Sequence, residues 1–303
     1  MRLPALVCST ACNEHQLCCP RSKMNSAIST RSITGAGGVK LNLLQAGKSG
    51  APALLFLHGI SSSAWCWKQQ LDSSLATSYH LGALDLRGHG ASDKPETAGA
   101  YADSQQWAAD VKAAIDAMNA PITILVAWSY GGLVALDYLR HYGTSKLGGL
   151  VLAGALSKLG NDHAMSLLEP NILTYVPGLF ANDVATSLAA LGGFIRACHA
   201  KPLGATDFHE QLGFNCIVPP RVRADLFSRS LDNDDVLADV QMPVLLLHGT
   251  EDAVVLPQSS RHMNSLLPKA HLIEIPGVGH SAFREAPVLF NQKLSGFVGS
   301  ALG

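Results

Sequence analysis

Ser129 sits in the string Ala127-Trp128-Ser129-Tyr130-Gly131-Gly132, after a short apolar run at 122–126 and before a helix-forming run at 133–139. A serine on so tight a strand-to-helix turn is lifted out of the backbone, and small neighbours permit the turn. Its hydroxyl then stands above the sheet, beside the amides that open the helix. That presentation suits a nucleophile for acyl transfer. A serine hydroxyl is a poor nucleophile at neutral pH, so the chemistry also requires a base within hydrogen-bonding reach.

Three other apolar runs end in groups able to serve. Residues 54–57 end in His58-Gly59-Ile60, and 244–247 end in His248-Gly249-Thr250-Glu251-Asp252. Residues 271–275 lead to Pro276-Gly277-Val278-Gly279-His280. In open α/β sheets functional groups gather beyond the carboxyl ends of the strands, so Ser129, Asp252 and His280 are expected to meet in space. Glu251 is a rival acid beside Asp252.

These motifs, with the string at 85–95 (Asp85-Leu86-Arg87-Gly88-His89-Gly90-Ala91-Ser92-Asp93-Lys94-Pro95), make the chain from about Gly38 to its C-terminus resemble the α/β-hydrolase family. Within that family it is most similar to serine carboxylesterases and cofactor-free haloperoxidase-like members. The order Ser, Asp, His is the one the resemblance implies, and its Gly-x-x-Asp spacing from Gly249 selects Asp252. Ser129 is then the nucleophile, His280 the general base and acid, and Asp252 the group that holds the imidazole tautomer. The resemblance also implies an oxyanion hole built from the backbone N–H groups of Ile60 and Tyr130. Ala127 stands where the family usually has glycine, a small steric addition that the turn should tolerate.

Other suggestive residues receive structural assignments. His58 is expected to hydrogen-bond its own loop, and Asp85, Arg87, His89 and Asp93 to form an ion-paired scaffold. Trp128, adjacent to the nucleophile, and Trp65 are the aromatic candidates for the substrate pocket. A serine nucleophile in place of an aspartate argues against epoxide hydrolase and dehalogenase chemistry. The Ile60-Ser61-Ser62-Ser63 loop lacks the Trp-Pro pair of many haloperoxidase-like members. There is no Gly-x-Gly-x-x-Gly unit, P-loop or zinc-ligand set, so no cofactor and no metal is implied.

The elements that must position these groups follow a β-then-α rhythm. Strands are predicted at 39–45, 53–57, 80–86, 122–126 and 147–152, with helices at 65–75 and 105–118. That rhythm predicts a doubly wound sheet. The resulting fold class is α/β: an α/β-hydrolase fold with a mostly parallel eight-stranded sheet, helices on both faces and a helical cap inserted after strand 6. The expected core is 31–155 and 240–303, with the cap at 156–239. Leu167, Leu168, Leu179, Phe180, Leu188, Phe194, Phe208 and Phe227 give that insertion apolar surface for one wall of a pocket. The expected reaction is hydrolysis of small to medium apolar carboxylic esters through an acyl-enzyme. The alternatives are perhydrolase or haloperoxidase-like chemistry, lactone or carbon–carbon bond hydrolysis, and a non-catalytic small-molecule receptor.

Composition bounds the partners. Of 303 residues 48% are hydrophobic and 15% charged, with a formal net charge of −1, so neither a basic stripe for nucleic acid nor an acidic tail is present. No apolar stretch reaches the roughly 20 residues needed to cross a bilayer, and a soluble monomer or homodimer acting on a small-molecule ester is expected. Residues 1–30 hold Cys8, Cys12, Cys18 and Cys19 without apolar periodicity. They are expected to form a disordered or non-native-like extension, or to precede a more natural start at Met24. Those cysteines with His15 match no zinc spacing. The odd total of seven cysteines argues against a disulfide framework and for the reducing cytoplasm.

Overall fold

Continuous apolar runs become strands where helices cover both faces of a sheet, and β3 (Ala53–Leu57) and β5 (Thr123–Trp128) are buried along their whole length. The structure, a computed structural model, describes residues 28–303. The chain opens with β1 (Ser29–Thr34), β2 (Lys40–Gly47), β3 and β4 (His80–Leu84). It continues through β5, β6 (Leu147–Ala153) and the two-residue strands β7 (Lys158–Leu159) and β8 (Leu231–Asp232). It closes with β9 (Val244–Gly249) and β10 (Ala270–Ile275). Eight of these form one sheet in the order β1-β2-β4-β3-β5-β6-β9-β10. From β4 to β10 the pairs are parallel, and β1-β2 and β2-β4 are antiparallel. Leu55 and Leu57 enter one core cluster and Leu54 and Phe56 the other, as the two-residue repeat of a strand dictates.

Two segments differ from the sequence-based expectation. Among the described residues the first strand starts at Ser29, ahead of the Gly38 start read from the sequence; it reads Ser-Thr-Arg-Ser-Ile-Thr and buries only Ile33. A polar edge strand held by antiparallel pairing offers no apolar alternation to read. The remainder of the expected N-terminal extension, with its cysteines and Met24, lies outside the described residues. The helix expected over 65–75 is broken into a 3₁₀ turn (Ala64–Trp67), a single turn (Lys68–Leu71) and another at Leu75–Ser78. The Ser73 hydroxyl donates to the Gln70 carbonyl and accepts from the Leu75 N–H, competing with the helical bonds there.

After β6 the chain leaves the sheet for a mostly helical insertion, including Val184–Ala197, Ala205–Ile217 and Pro220–Phe227, and returns at β9. β7 and β8 pair antiparallel at its root, Leu159 opposite Leu231. The buried Lys158 ammonium reinforces that root by pairing with Asp232 and Asp234. Among the described residues no helix is long and apolar enough to cross a membrane.

Candidate active site

Ser129 links β5 to the helix Tyr130–Tyr142 with φ 55° and ψ −122°, and among the described residues only Ser61 and Asn119 are other non-glycine positions of positive φ. Such a conformation costs on the order of 1–3 kcal/mol and persists only where its surroundings impose it. They do so here: the Ser129 N–H donates to Ala153 O, and the Ser129 carbonyl accepts from Gly132 and Leu156 N–H. Gly131 is required by space, since a Cβ there would lie 2.8 Å from the carbonyl oxygens of both Leu57 and His58. Ala127 is fully buried in β5, opposite Leu57 and Leu152, and does not disturb either pairing.

Asp252 and His280 come together from loops after β9 and β10. His280 Nδ1 lies 2.8 Å from Asp252 Oδ2, so it carries the proton and leaves Nε2 with a free lone pair. That Nε2 is buried and has no hydrogen-bond partner among the described residues. Asp252 Oδ1 accepts from the N–H groups of Val254 and Val255 at 2.9 and 3.0 Å. Burial would raise this carboxyl, but His280 and His248 facing it hold it well below the usual carboxylate range. Trp128, the last residue of β5, ties that strand to the His280 loop, its indole N–H donating to the His280 carbonyl at 2.9 Å.

The loop after β3 supplies amides. Neither Ile60 nor Tyr130 donates its N–H to an acceptor among the described residues, and both line the cavity that Ser129 enters. Two buried histidines hold this loop. His58 Nε2 accepts from Leu86 N–H, and its Nδ1–H donates to Gly59 O. His89 Nε2 accepts from Ser61 N–H, and its Nδ1–H donates to Arg87 O. Burial lowers His58 to about 4 and, with the neighbouring His58, His89 to about 3, so both are neutral. Asp85 accepts from Ala64 and Ala91 N–H and from the Asn42 amide, Asp93 from Lys40 N–H, and Arg87 pairs with Asp110 at 2.6 Å. These charges brace the loop and none enters the cavity.

The cavity beside Ser129 has a volume of ≈ 40 Å³. It is narrow and almost wholly apolar. Of the insertion residues singled out from the sequence, Leu168, Leu179, Phe194 and Phe227 line it, whereas Leu167, Phe180, Leu188 and Phe208 do not. Ile172, Leu173 and Val176 of the insertion, with Val254 and Val255 beside Asp252, complete the wall. No sequence periodicity marks these residues. The tryptophans expected in the pocket are elsewhere. Trp128 packs under His280 and against Phe283 on the opposite sheet face, because the next residue along a strand points the other way. Trp65 is 41% exposed and does not line the cavity.

Two polar residues went unread. His248, at the end of β9, has Nε2 3.1 Å from Asp252 Oδ2, a contact that the i, i+4 spacing of His248 and Asp252 could have suggested. Glu285 accepts from Gly279 N–H with one oxygen and from Ala200 N–H with the other, fastening the His280 loop to the insertion. No sequence signal marks it. Among the described residues no group of three or more His, Cys, Asp or Glu is placed to hold a metal ion.

Comparison with known proteins agrees with this architecture. A sequence model described as "Alpha/beta hydrolase family" matches residues 54–293. The esterase RhEst1 from Rhodococcus sp. ECU1013 is 37% identical, with a TM-score of 0.85 over 90% of this chain and 99% of that one. A putative aryl esterase from Burkholderia cenocepacia is 30% identical, with a TM-score of 0.82 over 90% of this chain and 99% of that one. Protein ABHD8 of Bos taurus is 28% identical over 253 residues, 81% of this chain and 55% of that protein. The chain thus spans about half the length of that curated relative.

Proposed function

The chain belongs to the alpha/beta hydrolase family, and we propose that it is a serine hydrolase of small to medium apolar carboxylic esters. The observation that carries this reading is the Asp252–His280 hydrogen bond, which leaves a buried, unpartnered imidazole Nε2 at the end of the sheet where Ser129 is presented. A non-catalytic binding protein has no need of such a pair.

Ser129 Oγ attacks the ester carbonyl carbon as His280 Nε2 accepts its proton. Asp252 Oδ2, already hydrogen-bonded to Nδ1–H, stabilises the imidazolium that forms. The negative oxygen of the tetrahedral intermediate is held by the Ile60 and Tyr130 N–H groups, each commonly worth about 3 kcal/mol. Collapse expels the alcohol, which takes the proton from Nε2. Water then attacks the acyl-enzyme by the same route and releases the acid. The helical insertion acts as a cap, and its apolar wall receives the acyl or alcohol group. The narrowness of the cavity supports short rather than long chains.

The test is a profile of p-nitrophenyl esters of increasing acyl length, with lactone and peracid-forming assays alongside. The reading expects a maximum at short to medium acyl chains. Turnover confined to lactones or to peracid formation would replace the ester assignment while keeping the nucleophile.

A further inference from the structure

Asp252 Oδ2 faces two histidines, His280 at 2.8 Å and His248 at 3.1 Å. His248 is completely buried, and its tautomer follows from its neighbours. Its Nε2 is 2.8 Å from the Val255 carbonyl as well as 3.1 Å from the carboxylate oxygen. Both are acceptors, so Nε2 bears the proton. Nδ1, 2.7 Å from Ser260 Oγ, then accepts from that hydroxyl. The ring is thereby fixed at both nitrogens, with its single N–H donating to Val255 O and facing Asp252 Oδ2 at 3.1 Å.

We propose that His248 is a positioning residue for His280: its Nε2–H holds the Asp252 carboxylate in place and competes with His280 Nδ1–H for the same oxygen. This role rests on the serine hydrolase reading only for its effect on turnover. The competition weakens the pull of the carboxylate on the His280 ring, because a hydrogen bond to a charged acceptor withdraws part of its charge.

The other groups around the pair are accounted for. His199 of the insertion lies near the His280 ring and faces Glu285 at 4.0 Å, and burial pushes His199 down. The Cys198 thiol, also close to Asp252, is pushed well up by burial and stays protonated. Across the sheet His248 faces Glu274 of β10, whose carboxylate is paired with Arg261. None of these donates to Asp252 Oδ2.

The test follows the His280 ring by NMR in the full protein, where no ester is needed, and compares the wild type with His248→Leu and His248→Gln. Removal of the N–H in His248→Leu should raise the pH at which His280 takes up its proton by about half to one unit. His248→Gln, whose amide can donate in place of Nε2–H, should recover most of that shift. The acidic limb of kcat/KM should move upward with it. Should His248→Leu fail to fold, Ser260→Ala frees the tautomer and should give a smaller shift of the same sign. A midpoint within about 0.2 pH units of wild type, or a downward shift, would overturn the role. An upward shift in a protein that hydrolyses no ester would retain the role of His248 and refute the ester hydrolase reading.

Discussion

The indole of Trp128 donates to the main-chain carbonyl of His280 at 2.9 Å, so the residue preceding the serine in sequence holds the loop that bears the histidine. Trp128→Phe preserves the ring packing on Phe283 but removes this bond. Steady-state kinetics on a soluble ester should show kcat reduced by about tenfold with KM nearly unchanged, since a misplaced base harms the transition state and not ground-state binding. A change confined to KM would place Trp128 in the pocket after all.

Ser129→Ala should abolish ester turnover by orders of magnitude with the fold intact, because it removes the attacking atom. His280→Ala should be nearly as damaging and Asp252→Asn somewhat less so, and the effects should not add. A serine-reactive phosphonate should leave one mass label, on the peptide containing Ser129. A label on another serine would refute the assignment.

Stability should fall in mild acid. His58 and His89 are neutral in the folded protein down to about 4 and about 3. Unfolded, they take up protons below a reference value of about 6.5, so the unfolded chain binds more protons and stability is lost as pH falls from about 6.5. Asp137 acts oppositely: burial lifts it to about 6 despite the facing Arg229, so it binds a proton in the folded state first. Two histidines outweigh one carboxyl, and the net loss from pH 7 to pH 5 is on the order of 2 kcal/mol. Calorimetry should read a Tm lower by about 3 °C at pH 5. An unchanged Tm would show that the two histidines do not hold the loop as neutral rings.

The acyl wall should be adjustable from the insertion. Leu179→Ala enlarges the cavity from the insertion side, at a cost of about 2–5 kcal/mol for a buried leucine. The optimum acyl length should increase in the p-nitrophenyl ester series while Tm falls. An unchanged chain-length profile would assign the cavity to packing alone.

Legibility in the sequence followed burial and spacing. β3, β5 and β9 were readable because both of their faces are covered and every residue is apolar or at a functional end. β1 was not, since only Ile33 turns inward and its pairing with β2 is made by the backbone. Ser129, Asp252 and His280 were readable as ends of apolar runs, and the pairing of the last two is the 2.8 Å bond described above. The cavity wall was not. Phe194 and Phe208 lie on successive insertion helices with no pattern to separate them, and only the packing of those helices brings Phe194 to the cavity. Trp128 illustrates the remaining gap: adjacency to Ser129 in sequence suggested a shared pocket, whereas strand alternation sent the indole to the opposite face.

The pairing of Leu159 with Leu231 has a consequence for engineering and for divergence. An insertion whose two ends are clasped side by side joins the scaffold at two neighbouring points, and inside them Arg229 also pairs with the buried Asp137 of the core at 2.7 Å. A graft cut at β7 and β8 would leave the strand order untouched. To keep the histidine loop anchored, the incoming segment has to present a backbone N–H to Glu285, as Ala200 does, and a carbonyl to Ser281, as Cys198 does, and a cation to Asp137, as Arg229 does.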